Sequence, residues 1–207
     1  MGLLSNNIGR CMLKEGDHIY AYRNLLAYSH HGIYVGENRV IHYTRTEENT
    51  KTSKSKSCKE CGFNSNTHRG VVVSCLDCFL QGHSLHRFDY TVSSGHFAFK
   101  RSGTCSTGHC DEPSVVVKRA YEMLYYNAFG EYNLLYNNCE CFAIYCKTGH
   151  SASFQIYSLE SKAMIAVEEL LRKPISVKNF AKTLFKVGIK YKIDKLEFDI
   201  SLRPQDN

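Results

Sequence analysis

The sequence predicts an α+β protein, an antiparallel sheet packed by helices and carrying a small zinc-ribbon-like insertion. Three observations carry that expectation. Short alternating runs separated by turn residues occupy the segment up to Tyr43, helical periodicity takes over from Pro113, and two Cys-x-x-Cys pairs stand between these regions.

The elements follow in chain order. Gly16 to Tyr22, reading GDHIYAY, alternates like a half-buried strand. A second strand covers His30 to Val35, and the turn-prone Gly36-Glu37-Asn38 leads into a third at Arg39 to Tyr43, giving an antiparallel meander. From Thr44 to Asn66 the composition shifts to Thr, Ser, Lys, Glu and Asn, which bury little apolar surface, so this stretch reads as loop or insertion. Strands resume at Gly70 to Ser74 and Ser84 to Tyr90, and Ser102 to Glu112 reads as loop.

Pro113 suits a first helical position, and Val116, Ala120, Met123, Leu124 and Phe129 follow helical spacing until Gly130 ends it. Asn137 and Asn138 can cap a second helix that starts near Cys139 and stops at Gly149. Beyond Ser151 the pattern is helical again through Leu159, Ala163, Val167 and Leu171, and once more from Ser176 to Val187. The closing stretch IKYKIDKLEFDI pairs as a hairpin about Asp194-Lys195 or runs on as one strand. Residues 1–150 therefore form the main domain, with residues 58–78 as a Cys-rich insertion, and residues 151–207 form a helical extension.

A chain of 207 residues holds one core plus an appendage. No run of about 18 apolar residues is present, and the N-terminus lacks the sections of a signal peptide, so the expected location is cytoplasmic. Met1-Gly2 falls short of a myristoylation signal because Asn6 stands where Ser or Thr belongs. The net charge of +6 reads as a solvated surface, and no nucleic acid partner is expected. Residues 172–195 hold eight basic residues and one acid, Asp194, so reversible peripheral contact with anionic membranes is expected there.

Ten cysteines in a reducing compartment need roles other than a disulfide framework. Cys58-x-x-Cys61 and Cys75-x-x-Cys78 each place two thiolates on one side of a tight turn, and together they satisfy tetrahedral zinc. A closed four-thiolate set leaves no water position, so the zinc would be structural and would supply folding energy to a segment poor in apolar residues. Paired disulfides or free thiols are the competing readings. His68, His83, His86, Cys105 and Cys110 read as loop residues rather than ligands. If the insertion folds separately, Cys75→Ser should loosen it while sparing the remainder.

Three further segments belong together: SHHGIYVG, VIHYT and NNCECFAIYCKTG. In their order, and in the twelve-residue interval from His30 to His42, they resemble the lecithin:retinol acyltransferase-like thiol enzymes, which share a circularly permuted papain-like architecture with NlpC-type peptidases. The resemblance covers about residues 14 to 150 and is strongest to plant-type members with a Cys-rich insertion. It implies Cys139 as nucleophile, His30 as its base and His42 as the residue that orients His30, with Tyr28 a candidate at the oxyanion position. Cys141 departs from the pattern, standing where the animal enzymes carry His.

Physical chemistry is consistent with those roles. A helix N-terminus and an imidazole both favour a thiolate. Strand alternation sends His31 to the face opposite His30, so His31 is expected to be silent in the chemistry. The implied activity is that of a thiol acyltransferase or phospholipase-like hydrolase, acting on a lipid or other acyl-bearing substrate through an acyl-thioester, without an organic cofactor. The alternatives are an NlpC-type amidase or peptidase and an inert zinc-stabilised interaction module.

Overall fold

The computed structural model describes residues 6–23, 28–45, 56–133 and 137–150. The chain divides into two units, Met1–Phe88 with Cys110–Ser153, and Asp89–His109 with Phe154–Asn207. The expected helices and hairpin beyond residue 150 lie outside the described residues.

The first unit is built on a five-stranded sheet: β1 (His18–Arg23), β2 (Tyr28–Tyr34), β3 (Arg39–Tyr43), β4 (Val71–Cys75) and the two-residue β5 (His86–Arg87). Its order is β4-β3-β2-β1-β5, with every pairing antiparallel. The β2–β3 turn is tight because Gly36, Glu37 and Asn38 all take positive φ, a conformation that Gly and Asn tolerate best. Helix α1 (Leu76–Leu80) follows β4 without a break, and α3 (Pro113–Tyr126) and α4 (Cys139–Thr148) come later.

Both faces of the sheet centre are covered. Ile33 pairs with Ile41, and this face packs on Val116 and Ala120 of α3 and on Phe142, Ala143 and Cys146 of α4. The other face carries Ile19, Ala21 and Val40, packed on Leu76, Phe79 and Leu80 of α1 and on Leu85. The alternation in GDHIYAY suggests a half-buried strand, yet β1 is buried at five of its six positions. Covering a sheet on both sides buries polar members of the alternation too, His18 among them.

Gly32 marks a close approach. A Cβ there would lie 2.8 Å from Val40 Cγ1 and 3.0 Å from both His42 Cβ and the Ile41 carbonyl oxygen. Gly32→Ala is therefore expected to cost roughly 1–3 kcal/mol, as overpacking does, seen as a lowered thermal midpoint. A midpoint equal to that of the parent would show that β3 shifts without cost.

Several boundaries differ from expectation. Helix α3 stops at Asn127 rather than Gly130, because Asn127 adopts the left-handed cap conformation and its side chain accepts the Val71 N–H at 3.0 Å. Strand β5 is shorter than the expected Ser84 to Tyr90. Helix α1 was not anticipated from its five residues, which are too few to show a helical period. Residues 71–78 of the expected insertion are thus β4 and part of α1, integral to the sheet.

In the second unit the described residues are Asp89–His109. Asp89 bridges Cys105, its carboxylate pairs with Lys100 at 3.1 Å, and Ser93 caps the short α2 (Ser94–Phe99) by accepting the His96 N–H.

Candidate active site and metal centre

Asn138 caps α4, its side-chain oxygen accepting the N–H groups of Glu140 at 2.9 Å and Cys141 at 3.1 Å. This fixes Cys139 at the first helical position. At the far end of α4, Arg119 donates to the carbonyls of Tyr145 and Cys146 and pairs with Asp111, setting a positive charge against the helix C-terminus.

The thiol meets the edge of β2. Tyr34 exchanges backbone bonds with Gly16 and Asp17, so the even residues of β2 turn their backbone groups toward β1 and the odd ones toward β3. The pairing with β3 runs from Tyr34↔Val40 to Gly32↔His42, one residue short of His31. Cys139 occupies that edge: its thiol donates to the Ser29 carbonyl at 3.8 Å and receives the His31 backbone N–H.

The two histidines next to this edge behave differently. His31 points to the face of His18 and Tyr20, fully buried, with both ring nitrogens engaged: Nδ1 lies 2.8 Å from His18 Nε2 and Nε2 lies 2.9 Å from Ser29 Oγ. His30 points to the other face, where its Nε2 lies 3.0 Å from His42 Nδ1. His42 Nε2 in turn lies 3.0 Å from Ser74 Oγ. Among the described residues, His30 Nδ1 has no hydrogen-bond partner.

The proton positions in this relay follow from its terminus. Ser74 Oγ donates to the Cys75 carbonyl at 3.2 Å, so it accepts from His42 Nε2–H. A neutral imidazole carries one N–H, so His42 Nδ1 is an acceptor, His30 Nε2 is the donor to it, and His30 Nδ1 holds a lone pair. Both rings are neutral: burial, with Arg23 nearby, holds His30 down at about 3, and burial pushes His42 well below its ordinary value.

The thiol is neutral as well. Burial pushes Cys139 up to about 12, outweighing the His31 N–H and the Tyr132 hydroxyl, which favour the anion. A helix start favours the anion by far less than complete removal from water opposes it. No hydrogen bond joins Cys139 to His30 among the described residues, so the structure brings His30 and His42 together and sets Cys139 against the strand that carries His30.

Other groups gather here. Tyr132 hydrogen-bonds the thiol, and Arg23, donating to the Phe79 and Leu80 carbonyls, lies within electrostatic reach of it. Tyr28 stands exposed at the start of β2. Ser74, Tyr132 and Arg23 were not singled out from the sequence. Ser74 faces Val40 in the β3–β4 register and so shares a strand face with His42, a placement that the register alone reveals.

The four cysteines Cys58, Cys61, Cys75 and Cys78 converge, all their sulfurs within 4.8 Å of one another. The Cys58–Cys75 and Cys61–Cys78 separations are 3.9 and 3.7 Å. These match the edge of about 3.8 Å of a tetrahedron with metal–sulfur bonds of roughly 2.3 Å. The N–H groups of Cys61 and Glu60 point at Cys58 and hold its thiol down to about 7, whereas burial and the neighbouring sulfurs push Cys78 up. Four thiols this close cannot all ionise unless a cation sits among them. The set fits a metal ion.

The cluster is not remote from the histidines. Cys75 directly follows Ser74, Phe79 lies 5.3 Å from His30 and 5.4 Å from His42 between ring centroids, and Phe63 lies 5.6 Å from His42. The expectation that Cys75→Ser would spare the rest of the fold rested on an insertion folding separately, and the participation of Cys75 in β4 removes that basis.

Residues 11–152 match the model of the lecithin retinol acyltransferase family. The chain belongs to that family. Protein LEAD-SENSITIVE 1 of Arabidopsis thaliana is 47% identical over 163 residues, which is 72% of this chain and 62% of that protein. The chain thus spans less than two thirds of that relative's length. Membership gives an acyltransferase or hydrolase type of family, and the match takes in both histidines, Cys139 and all four clustered cysteines. No helix among the described residues is long and apolar enough to cross a membrane.

Proposed function

We propose that the chain is a thiol acyltransferase or phospholipase-like hydrolase that opens a lipid ester through a Cys139 thioester. The observation that carries this reading is the relay Ser74–His42–His30, which leaves a lone pair on Nδ1 of His30, the residue next to Ser29, whose carbonyl receives the thiol. In the reaction His30 Nδ1 takes the thiol proton as Sγ attacks the ester carbonyl, then returns it to the departing alkoxide, leaving an acyl-thioester. An amine, alcohol or water takes the acyl group in the second half. His42 holds the His30 ring and spreads the charge that forms on it. The Cys139 N–H at the start of α4, with Tyr28, is the candidate to receive the oxyanion, since Asn138 already takes the N–H groups of Glu140 and Cys141.

The neutral resting pair fits a site that ionises only as substrate enters, so a base with a low resting pKa is compatible with the proposal. The test is intact mass after incubation with mixed phospholipids, where one acyl increment on one thiol is expected. A folded, reduced protein that no phospholipid acylates would overturn the lipid reading, and acylation or cleavage with peptide substrates alone would replace it with the amidase reading.

Zinc is the cation proposed for Cys58, Cys61, Cys75 and Cys78, supported by four thiolates at tetrahedral spacing. Elemental analysis of protein purified under reducing conditions is expected to give about one zinc per chain. Finding no metal would remove that assignment. Reversible, salt-sensitive binding of residues 172–195 to anionic vesicles is proposed on their charge alone. Sedimentation that is indifferent to anionic lipid and salt would contradict it.

A further inference from the structure

We propose that the four-cysteine metal centre is the positioning device of the histidine relay, selecting the tautomer that leaves His30 Nδ1 able to accept a proton. The inference rests on the metal reading above and adds a role for the metal.

Each Cys-x-x-Cys pair is tied to one wall of the relay. Cys61 is followed two residues later by Phe63, whose buried ring lies against His42, and the Phe63 carbonyl accepts the Cys58 N–H at 2.8 Å. Cys78 is followed directly by Phe79, whose ring lies against both His30 and His42. A cation bound to all four sulfurs therefore cross-links the two segments that hold the imidazoles from either side. A further strut joins them through the β2–β3 turn, where Asn38 donates to Glu60 at 2.9 Å and accepts the Leu76 N–H at 2.9 Å.

The relay also ends on a ligand residue. The Cys75 carbonyl accepts a hydrogen bond from the Ser74 hydroxyl, and that single bond decides the remaining N–H positions. If the carbonyl turns away, Ser74 can donate to His42 Nε2 instead. His42 would then carry its proton on Nδ1 and donate to His30 Nε2, and His30 would carry its own proton on Nδ1. In that tautomer the nitrogen free of His42 cannot accept from a thiol. The metal, by fixing Cys75 at the junction of β4 and α1, keeps the first arrangement.

The test uses the full chain with 15N-labelled histidine, compared as loaded with Zn2+, loaded with Co2+ and stripped by chelation. Two-bond 1H–15N correlations read which ring nitrogen of His30 and His42 is protonated, and iodoacetamide with peptide mass analysis reads Cys139 reactivity. The loaded protein is expected to show one Nε2–H tautomer at both residues. The stripped protein, with unchanged far-UV circular dichroism, should show mixed tautomers and Cys139 alkylation slower by about tenfold or more, the loss of a positioned base. Ser74→Ala should retain the Co2+–thiolate charge-transfer band yet lose the tautomer preference and the reactivity, and Ser74→Thr should restore both.

A stripped, folded protein with the same tautomers and the same Cys139 reactivity would overturn the proposal. So would Ser74→Ala that behaves like the parent, and this variant decides the question if stripping unfolds the chain. Absence of bound metal and of any charge-transfer band would instead overturn the metal reading itself, and the proposal with it.

Discussion

Cys139→Ala is expected to abolish acyl-adduct formation, and His30→Ala to slow it by roughly 10²–10⁴-fold, the range for a positioned proton transfer. The reason lies in the neutral resting state. With the thiol held up at about 12, hardly any thiolate forms near neutral pH without a base, so the reaction depends on proton transfer during attack. His42→Ala should cost less than His30→Ala, because it removes the ring's support and not the accepting nitrogen. Single-turnover intact mass at saturating donor measures all three, with circular dichroism as the control for folding.

His31→Ala separates position from chemistry. Its ring is fully buried between His18 and Ser29, so the change should lower stability, yet the folded fraction should keep its rate of adduct formation. Full adduct formation by Cys139→Ser, or a rate that falls with His31 and not with His30, would move the site elsewhere.

Acid should unfold the protein steeply. His18, His31 and His42 are between 0 and 2% exposed, and burial pushes each of them down from an ordinary value of 6.5, His31 to about 3. In the unfolded chain they protonate as pH falls through that ordinary value, while in the native state they stay neutral. The unfolded state then binds more protons, so stability is complete above about pH 6.5 and falls as pH drops toward the native values. Each such histidine contributes a slope of about 1.4 kcal/mol per pH unit, and three give roughly 4. A domain stable by about 5–15 kcal/mol would exhaust that within a few pH units below 6.5. A thermal midpoint constant between pH 7 and pH 4.5 would show that these rings are solvated or already charged in the native state.

The parts of the molecule that the sequence made legible are those set by local rules. Alternation located the first three strands, the Pro113 start and the Asn138 cap located two helices, and the paired cysteines announced their own convergence. The parts that stayed hidden depend on contacts distant in the chain. Ser74 joins the relay only because β4 pairs with β3 in one register, across thirty-two residues of sequence. Tyr132 and Arg23 reach Cys139 only through the packing of α4 on the sheet. The resting charge of Cys139 is equally hidden, because the local features favour a thiolate and only the depth of burial shows that desolvation prevails.

Lys147 has a consequence for how the chain is made. Buried at the end of α4, it donates to the Gly16 carbonyl at 3.0 Å, closing the last turn of the helix onto the turn that leads into the first strand. Phe142, Ala143 and Cys146 on the same helix complete a core whose other half, Ile33, Ile41, Tyr43 and Val71, is synthesised long before. Contacts of such sequence separation form slowly and after local structure. On the ribosome this face of the sheet must therefore wait, covered at most by α3, until residue 148 has left the exit tunnel, and during that interval the nascent chain is most open to aggregation and to chaperones.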